Sequence, residues 1–107
     1  PIKSFQAIQH KLADMKVILE ASRMLVYRVA YDKDMGLPLN HMHTSIAKAF
    51  VGDWGIKAAS EGVQIFGGYG YMHEYPVEHM LRDAKLAQIG GGTSEVQRFI
   101  ISRLMSF

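Results

Sequence analysis

From Ser4 to Asp34 apolar residues (Phe5, Ile8, Leu12, Met15, Leu19, Val26, Val29) fall mostly at three- and four-residue steps. Lys11, Lys16, Glu20, Arg23 and Lys33 lie on other faces. That spacing is the period of an amphipathic α-helix. Strand-type alternation is convincing nowhere in the chain, so the fold class is all-α. Ser4 is the candidate N-cap. Met35-Gly36, with Pro38 just beyond, is the expected stop.

A second long helix is predicted from His41 to Phe66, capped by Asn40, with Ile46, Phe50, Trp54, Ala58 and Ile65 as inward candidates. Gly52 and Gly55 inside it cost about 1 kcal/mol each in helix propensity. Their presence predicts close approach by another helix and makes this helix central. Gly67-Gly68-Tyr69-Gly70-Tyr71 ends it. A third helix is predicted from Pro76 to Gln88, with Val77, Met80, Leu81 and Ala84 inward. A fourth begins at Thr93 or Ser94, where Ser94 and Gln97 have capping-box spacing, and carries Val96, Ile100 and Leu104. Four helices with short connections predict an antiparallel up-and-down four-helix bundle spanning residues 1–107 as one domain.

At 107 residues and 49% apolar composition the chain is long enough for one domain with a core, not for two. The net charge is +2 and the basic residues are scattered, which argues against a nucleic-acid surface. Cysteine is absent, which excludes disulfides and thiolate chemistry. No apolar run reaches the roughly 20 residues of a membrane span, so no membrane partner is expected. The first residue is Pro1, not Met, and the chain reads as a piece of a larger protein. Its aromatic residues and seven methionines exceed what so small a core needs, so part of that surface is expected to face another domain or subunit.

The local constellations argue for little chemistry of their own. His41 and His43 point about 200° apart on a helix, and no Glu-x-x-His pair of the di-iron kind occurs, so no metal site is expected. Ser94 beside Glu95 has no histidine placed near it by local spacing, and capping already accounts for the serine. Two glycine-rich joints separated by one short helix remain. Gly90-Gly91-Gly92 runs into Thr93-Ser94-Glu95-Val96-Gln97-Arg98. Such a joint lets backbone approach a ligand closely and aims unpaired helix N–H groups at it.

These residues resemble one family. Gln64-x-x-Gly67-Gly68-x-Gly70-Tyr71-x-x-Glu74-Tyr75-Pro76-Val77-Glu78, then Arg82-Asp83-Ala84-Lys85, is similar to the C-terminal signature of the acyl-CoA dehydrogenases. Gly92-Thr93-Ser94-Glu95-Val96-Gln97-Arg98 resembles that family's last motif. Pro1-Ile2-x-x-Phe5-Gln6-Ala7-Ile8-Gln9 and Lys11-Leu12-Ala13-Asp14-Met15 resemble the first helix of the same domain. The likeness runs through nearly the whole chain in the right order.

The resemblance implies an FAD enzyme that desaturates acyl-CoA thioesters between Cα and Cβ and passes electrons to electron-transferring flavoprotein. It implies a homo-oligomer, usually a tetramer, in bacterial cytoplasm or mitochondrial matrix. By resemblance Gln64, Ile65, Gly67 and Gly68, with Phe5 and Gln6, contact the FAD of a neighbouring subunit. Thr93, Ser94 and Glu95 contact the chain's own FAD, and Gly92 contacts the acyl-CoA through its backbone.

Two departures are visible. Gly91 stands where many members carry the glutamate base, so this position is not catalytic. The chain resembles isovaleryl-CoA and long-chain acyl-CoA dehydrogenases in this, and the resemblance places the base on a helix upstream of Pro1. His79 stands where Lys or Arg is more usual, and a neutral histidine weakens an ion pair there. An arginine segment and the flavin-ring wall also lie outside the chain, so the piece alone is expected to be inactive. The alternatives are a family member that does not dehydrogenate and a stand-alone helical interaction domain.

Overall fold

The structure is a computed structural model and describes residues 1–38 and 40–106. Four helices account for most of it: α1 (Gln6–Asp34), α2 (His41–Phe66), α3 (Pro76–Leu86) and α4 (Ser94–Leu104). Single 3-10 turns occupy Ile2–Ser4 and Gly67–Tyr71, and no strand occurs among the described residues. The all-α, four-helix expectation holds.

The start of α1 differs from the predicted cap. Ser4 lies in the preceding turn, where its hydroxyl donates to the Pro1 carbonyl at 2.8 Å. With the helix beginning at Gln6, Ser4 stands one residue before the cap position, so its oxygen is not placed to accept a first-turn N–H. Phe5 takes the cap position with no side-chain bond. At the other end the Gly36 N–H reaches the Lys33 carbonyl (3.1 Å) and the Leu37 N–H the Asp32 carbonyl (2.9 Å), the paired closure of a Schellman ending.

α2 is the centre of the molecule. Asn40 caps it by accepting the His43 N–H at 3.2 Å, which satisfies one of the orphan donors of the first turn. α1 runs antiparallel to α2, clipped by a Lys11–Glu61 ion pair. The face of α1 turned to α2 carries Ile8, Lys11, Met15, Ile18, Ser22, Leu25 and Val29 in alternating three- and four-residue steps. Leu12, Leu19 and Val26, which also keep helical spacing, fall just outside that face and stay exposed.

α3 and α4 follow one another along the other side of α2, both antiparallel to it. Leu81 and Arg82 lie by Val63, Gln88 and Ser94 bond to Asp53, and Leu104 lies by Met42. Every other helix packs on α2, and among the described residues none of the others packs on another. Gly52 is what lets α3 sit so close: a Cβ there would stand 3.0 Å from the Ala87 carbonyl oxygen. Gly55 faces open space instead, so its expected role in close packing is not observed. Trp54, expected inward, is 40% exposed.

This arrangement buries little by itself. Among the described residues the buried apolar residues are Ala47 and Ala49, and no side chain is fully enclosed. The accessible surface is 7790 Å², against about 6,000 Å² for a folded monomer of 12.0 kDa. The radius of gyration is 16.4 Å, against roughly 13 Å for a compact domain of this length. Val17, Met24, Tyr27 and Tyr31 on α1 and Tyr71 beyond α2 lie open. No helix is long and apolar enough to cross a membrane.

Candidate functional site

The glycine-rich joint between α3 and α4 is a tightly determined piece of backbone. α3 ends at Leu86, two residues earlier than predicted, because the N–H groups of Ala87, Gln88 and Ile89 turn to carbonyls three residues back. Gly90 closes on the Leu86 carbonyl at 2.7 Å. The chain then reverses through Gly91 (φ +68°) and Gly92 (φ +92°), a conformation that costs an L side chain roughly 1–2 kcal/mol. Gln97, buried in α4, reaches back with its amide towards the Gly91 and Gly92 carbonyls at 3.5 and 3.4 Å.

Thr93, not Ser94, is the N-cap of α4. Its Oγ1 accepts the Val96 N–H at 3.2 Å. The predicted capping box does not form, since Val96 stands three residues after the cap, and Gln97 serves the loop and not the cap. Ser94 turns inward and is 7% exposed. Its N–H donates to the Gln88 carbonyl (3.0 Å) and its hydroxyl to Asp53 Oδ1 (2.8 Å).

Asp53, from the middle of α2, gathers this end of the molecule. Its Oδ1 also accepts from Gln88 Nε2 at 2.8 Å, and its Oδ2 pairs with Arg98. Arg98 in turn donates to the Ser94 carbonyl at 3.1 Å. The guanidinium hydrogen bond, followed by those from Gln88 and Ser94, holds the Asp53 carboxyl down at about 2. A second residue of α2, Lys48, donates to the Ala87 carbonyl at the end of α3, where a cation complements the helix dipole.

These contacts leave the N–H groups of Gly91, Gly92, Thr93 and Glu95 without an acceptor among the described residues. The Thr93 hydroxyl, accepting from Val96, keeps its own proton to donate. An open cleft of about 520 Å³ lies beside Thr93 and Glu95, bounded also by Asp53, Lys85, Gln88 and Arg98. Lys85 and the N-terminal dipole of α4 suit an anionic group there, while Arg98 offsets the Asp53 carboxylate and Glu95 adds a negative charge at the rim.

The remaining candidates sit elsewhere. Gln64, Ile65, Gly67 and Gly68 lie at the C-terminal end of α2 and the turn beyond it. Phe5 and Gln6 open α1, which the antiparallel α1–α2 pairing brings to that same end. Phe5 is 63% exposed. Tyr75 backs this end, with its ring 6.0 Å from Phe66 and 5.3 Å from Tyr69. Thus Gly92, Thr93, Ser94 and Glu95 form one group near mid-α2, and the other six form a second group at its end.

Between the groups, α3 carries a surface charge cluster. Arg82, and after it His73, hold the Glu78 carboxyl down at about 2. His79 contacts Asp83 through Nε2 at 3.0 Å and Arg82 Nη2 through Nδ1 at 3.2 Å. No group of three or more potential metal ligands occurs among the described residues.

Sequence reasoning missed Asp53, Gln88 and Gln97, whose side chains build the joint. One signal was legible: Asp53 is the lone acid in the Ile46–Ile56 stretch of the central helix. A carboxylate placed there needs partners from the elements that cover it.

A four-helix array centred on one helix, with a glycine-rich joint between the two short helices, defines an all-α domain. The family described as "Acyl-CoA dehydrogenase, C-terminal domain" matches residues 1–106. Among relatives, the probable acyl-CoA dehydrogenase YngJ of Bacillus subtilis (strain 168) is 50% identical over 103 residues, covering 96% of this chain and 27% of that protein. The butyryl-CoA dehydrogenase structure from Megasphaera elsdenii superposes with a TM-score of 0.92 at 48% identity, covering 96% of this chain and 27% of its own. An FAD complex of PigA shares the fold at a TM-score of 0.87 and 26% identity, over 95% of this chain and 26% of its own. The chain belongs to the acyl-CoA dehydrogenase family and is that family's C-terminal helical domain. It spans about a quarter of the length of the relatives it matches.

Proposed function

We propose that this domain serves an FAD-dependent dehydrogenase that introduces a Cα–Cβ double bond into an acyl-CoA thioester. The observation that carries this reading is the α3–α4 joint, whose amides at Gly91, Gly92, Thr93 and Glu95 meet no acceptor among the described residues. FAD, when bound, accepts the hydride from Cβ.

The residues of the joint suit that group. The Glu95 N–H and the Thr93 hydroxyl donate to the anionic diphosphate at the positive end of α4. Ser94, with both donors engaged inside the protein, orients its neighbours. Gly92 offers its N–H to the acyl-CoA, its carbonyl being turned to Gln97. Gly91 has no side chain and takes no proton. The base is a carboxylate supplied by another segment of the protein, from a preceding helix of the same domain.

Gln64, Ile65, Gly67, Gly68, Phe5 and Gln6 reach the FAD of a neighbouring subunit in a homo-oligomer. The exposed apolar surface of α1 and the residues after α2 supports such an assembly. Electron-transferring flavoprotein takes the electrons onward, in bacterial cytoplasm or mitochondrial matrix.

The test is anaerobic addition of short, branched and long acyl-CoAs to the purified full-length protein. Bleaching of the visible flavin band by at least one of them is expected. A flavin that stays oxidised with all three classes would overturn the dehydrogenase reading. It would favour a family member without this activity, which the bare Gly91 also suits.

A further inference from the structure

We propose that Asp53 is the positioning residue of the α3–α4 joint: its one carboxylate, bonded to Gln88, Ser94 and Arg98, holds the amides of residues 91–95 in the orientation that receives the ligand. The proposal rests on the reading above that these amides meet FAD. Asp53 itself touches no ligand in it.

The geometry supports this in three ways. First, Asp53 sits on α2, whereas Gln88 belongs to the end of α3's turn and Ser94 and Arg98 to α4. A single group on the central helix therefore fixes both sides of the loop. Secondly, the bonds converge on Ser94. Its hydroxyl goes to Asp53 (2.8 Å), its N–H to the Gln88 carbonyl (3.0 Å), and its carbonyl accepts from Arg98 (3.1 Å). With Ser94 held on all three polar groups, the Thr93 and Glu95 amides on either side have little freedom. Thirdly, few other side chains anchor the joint. Gln97 holds the Gly91 and Gly92 carbonyls at the long end of hydrogen-bond range, and Lys48 holds only Ala87.

Two glycines at positive φ, with no side chains to pack, would otherwise sample many conformations. Preorganised donors bind more tightly because the ordering cost has been met in folding and is not charged to binding. Removing Asp53 returns that cost to the binding step and leaves Arg98 without its carboxylate.

The experiment uses the full-length protein, with Asp53→Ala, Asp53→Asn and, as a comparison for stability alone, Ala47→Gly, a buried alanine of α2 outside the site. FAD affinity of the apoprotein, melting temperature and hydrogen exchange at the Ser94 amide are read for each. Asp53→Ala is expected to raise the Kd for FAD about tenfold or more and to unprotect the Ser94 amide. Asp53→Asn keeps an acceptor for Gln88 and Ser94 and is expected to recover much of the affinity, within about threefold of the parent. Ala47→Gly lowers the melting temperature without either effect.

FAD affinity within twofold of the parent in Asp53→Ala, at lowered melting temperature, overturns the proposal and leaves Asp53 a structural residue. If the alanine variant does not fold, Ser94→Ala, which removes one of the bonds converging on Asp53, takes its place: FAD affinity within twofold of the parent overturns the proposal, and a loss of several-fold supports it. If the parent itself takes up no FAD, the functional reading fails separately. The positioning is then judged on Ser94 exchange: faster exchange in the Asp53 variants but not in Ala47→Gly supports it, and unchanged exchange overturns it.

Discussion

Gly91 and Gly92 are adjacent and share a left-handed backbone, yet a side chain would meet different surroundings at each. A Cβ at Gly91 finds only the Lys48 side chain, at 3.8 Å, whereas one at Gly92 would stand 2.5 Å from the Gln97 amide nitrogen. Gly91→Ala and Gly91→Glu should therefore each destabilise by about 1–2 kcal/mol, the backbone strain alone. Gly92→Ala should cost more, because Gln97 is buried and must also leave its carbonyl partners. Denaturant unfolding of the three variants checks the order; equal losses would refute it. Asp53 gives a pH dependence at the same scale. Its pKa is lowered from 3.8 to about 2, so its stabilisation is fully present above about pH 4. It is lost as pH falls towards 2. The stability difference between the parent and Asp53→Asn should be constant from pH 5 upward and close by pH 2 in an acid titration. The chemistry of these residues was only partly legible. Thr-Ser at a helix start offers two possible caps, and sequence does not say which hydroxyl faces inward. That choice depends on Asp53, forty-one positions before Ser94.

The central element, α2, carries the sharpest contrast between neighbouring glycines. Gly52→Ala gains up to about 1 kcal/mol in helix propensity but forces the Ala87 carbonyl away, with an overpacking cost of about 1–3 kcal/mol. Gly55→Ala faces open space and should stabilise by about 0.5–1 kcal/mol. Opposite shifts in melting temperature are expected, and a rise for both would show that α3 is not held against Gly52. Thr93→Ala, which removes the cap of α4, should cost about 1 kcal/mol by the same measurement. Helix α2 was readable from end to end because Asn40 and Gly67 punctuate it with local chemistry. The inward face of α1 was less so. Leu12, Leu19 and Val26 keep helical spacing beside Met15, Ile18 and Leu25, and only the position of α2 selects between the two rows. Ser4 failed as a cap because the helix starts at Gln6, one residue later than a cap at Ser4 requires.

At the scale of the whole molecule, the surface exceeds that of a compact monomer by roughly 1,800 Å². That is about twice the roughly 800 Å² that one partner buries in a standard protein–protein interface. The 107-residue chain by itself should therefore self-associate, and sedimentation velocity should show a concentration-dependent rise above the monomer; a monomer at all concentrations would contradict this. The family was legible because its glycine and aromatic motifs are local in sequence. The end-to-end placement of α3 and α4 was not, because it follows from which surfaces of α2 each covers. That placement has a further consequence. Asp53 and Gln64 stand on one unbroken helix, so the separation of the two candidate ligand-contacting regions is set by helical rise, about 17 Å for eleven residues. α2 acts as a ruler between them. Substitutions along it leave the scale intact, but a single inserted residue between 53 and 64 would lengthen it by about 1.5 Å and turn one end about 100° against the other. In this stretch evolution can change the letters freely, within packing, but not their number.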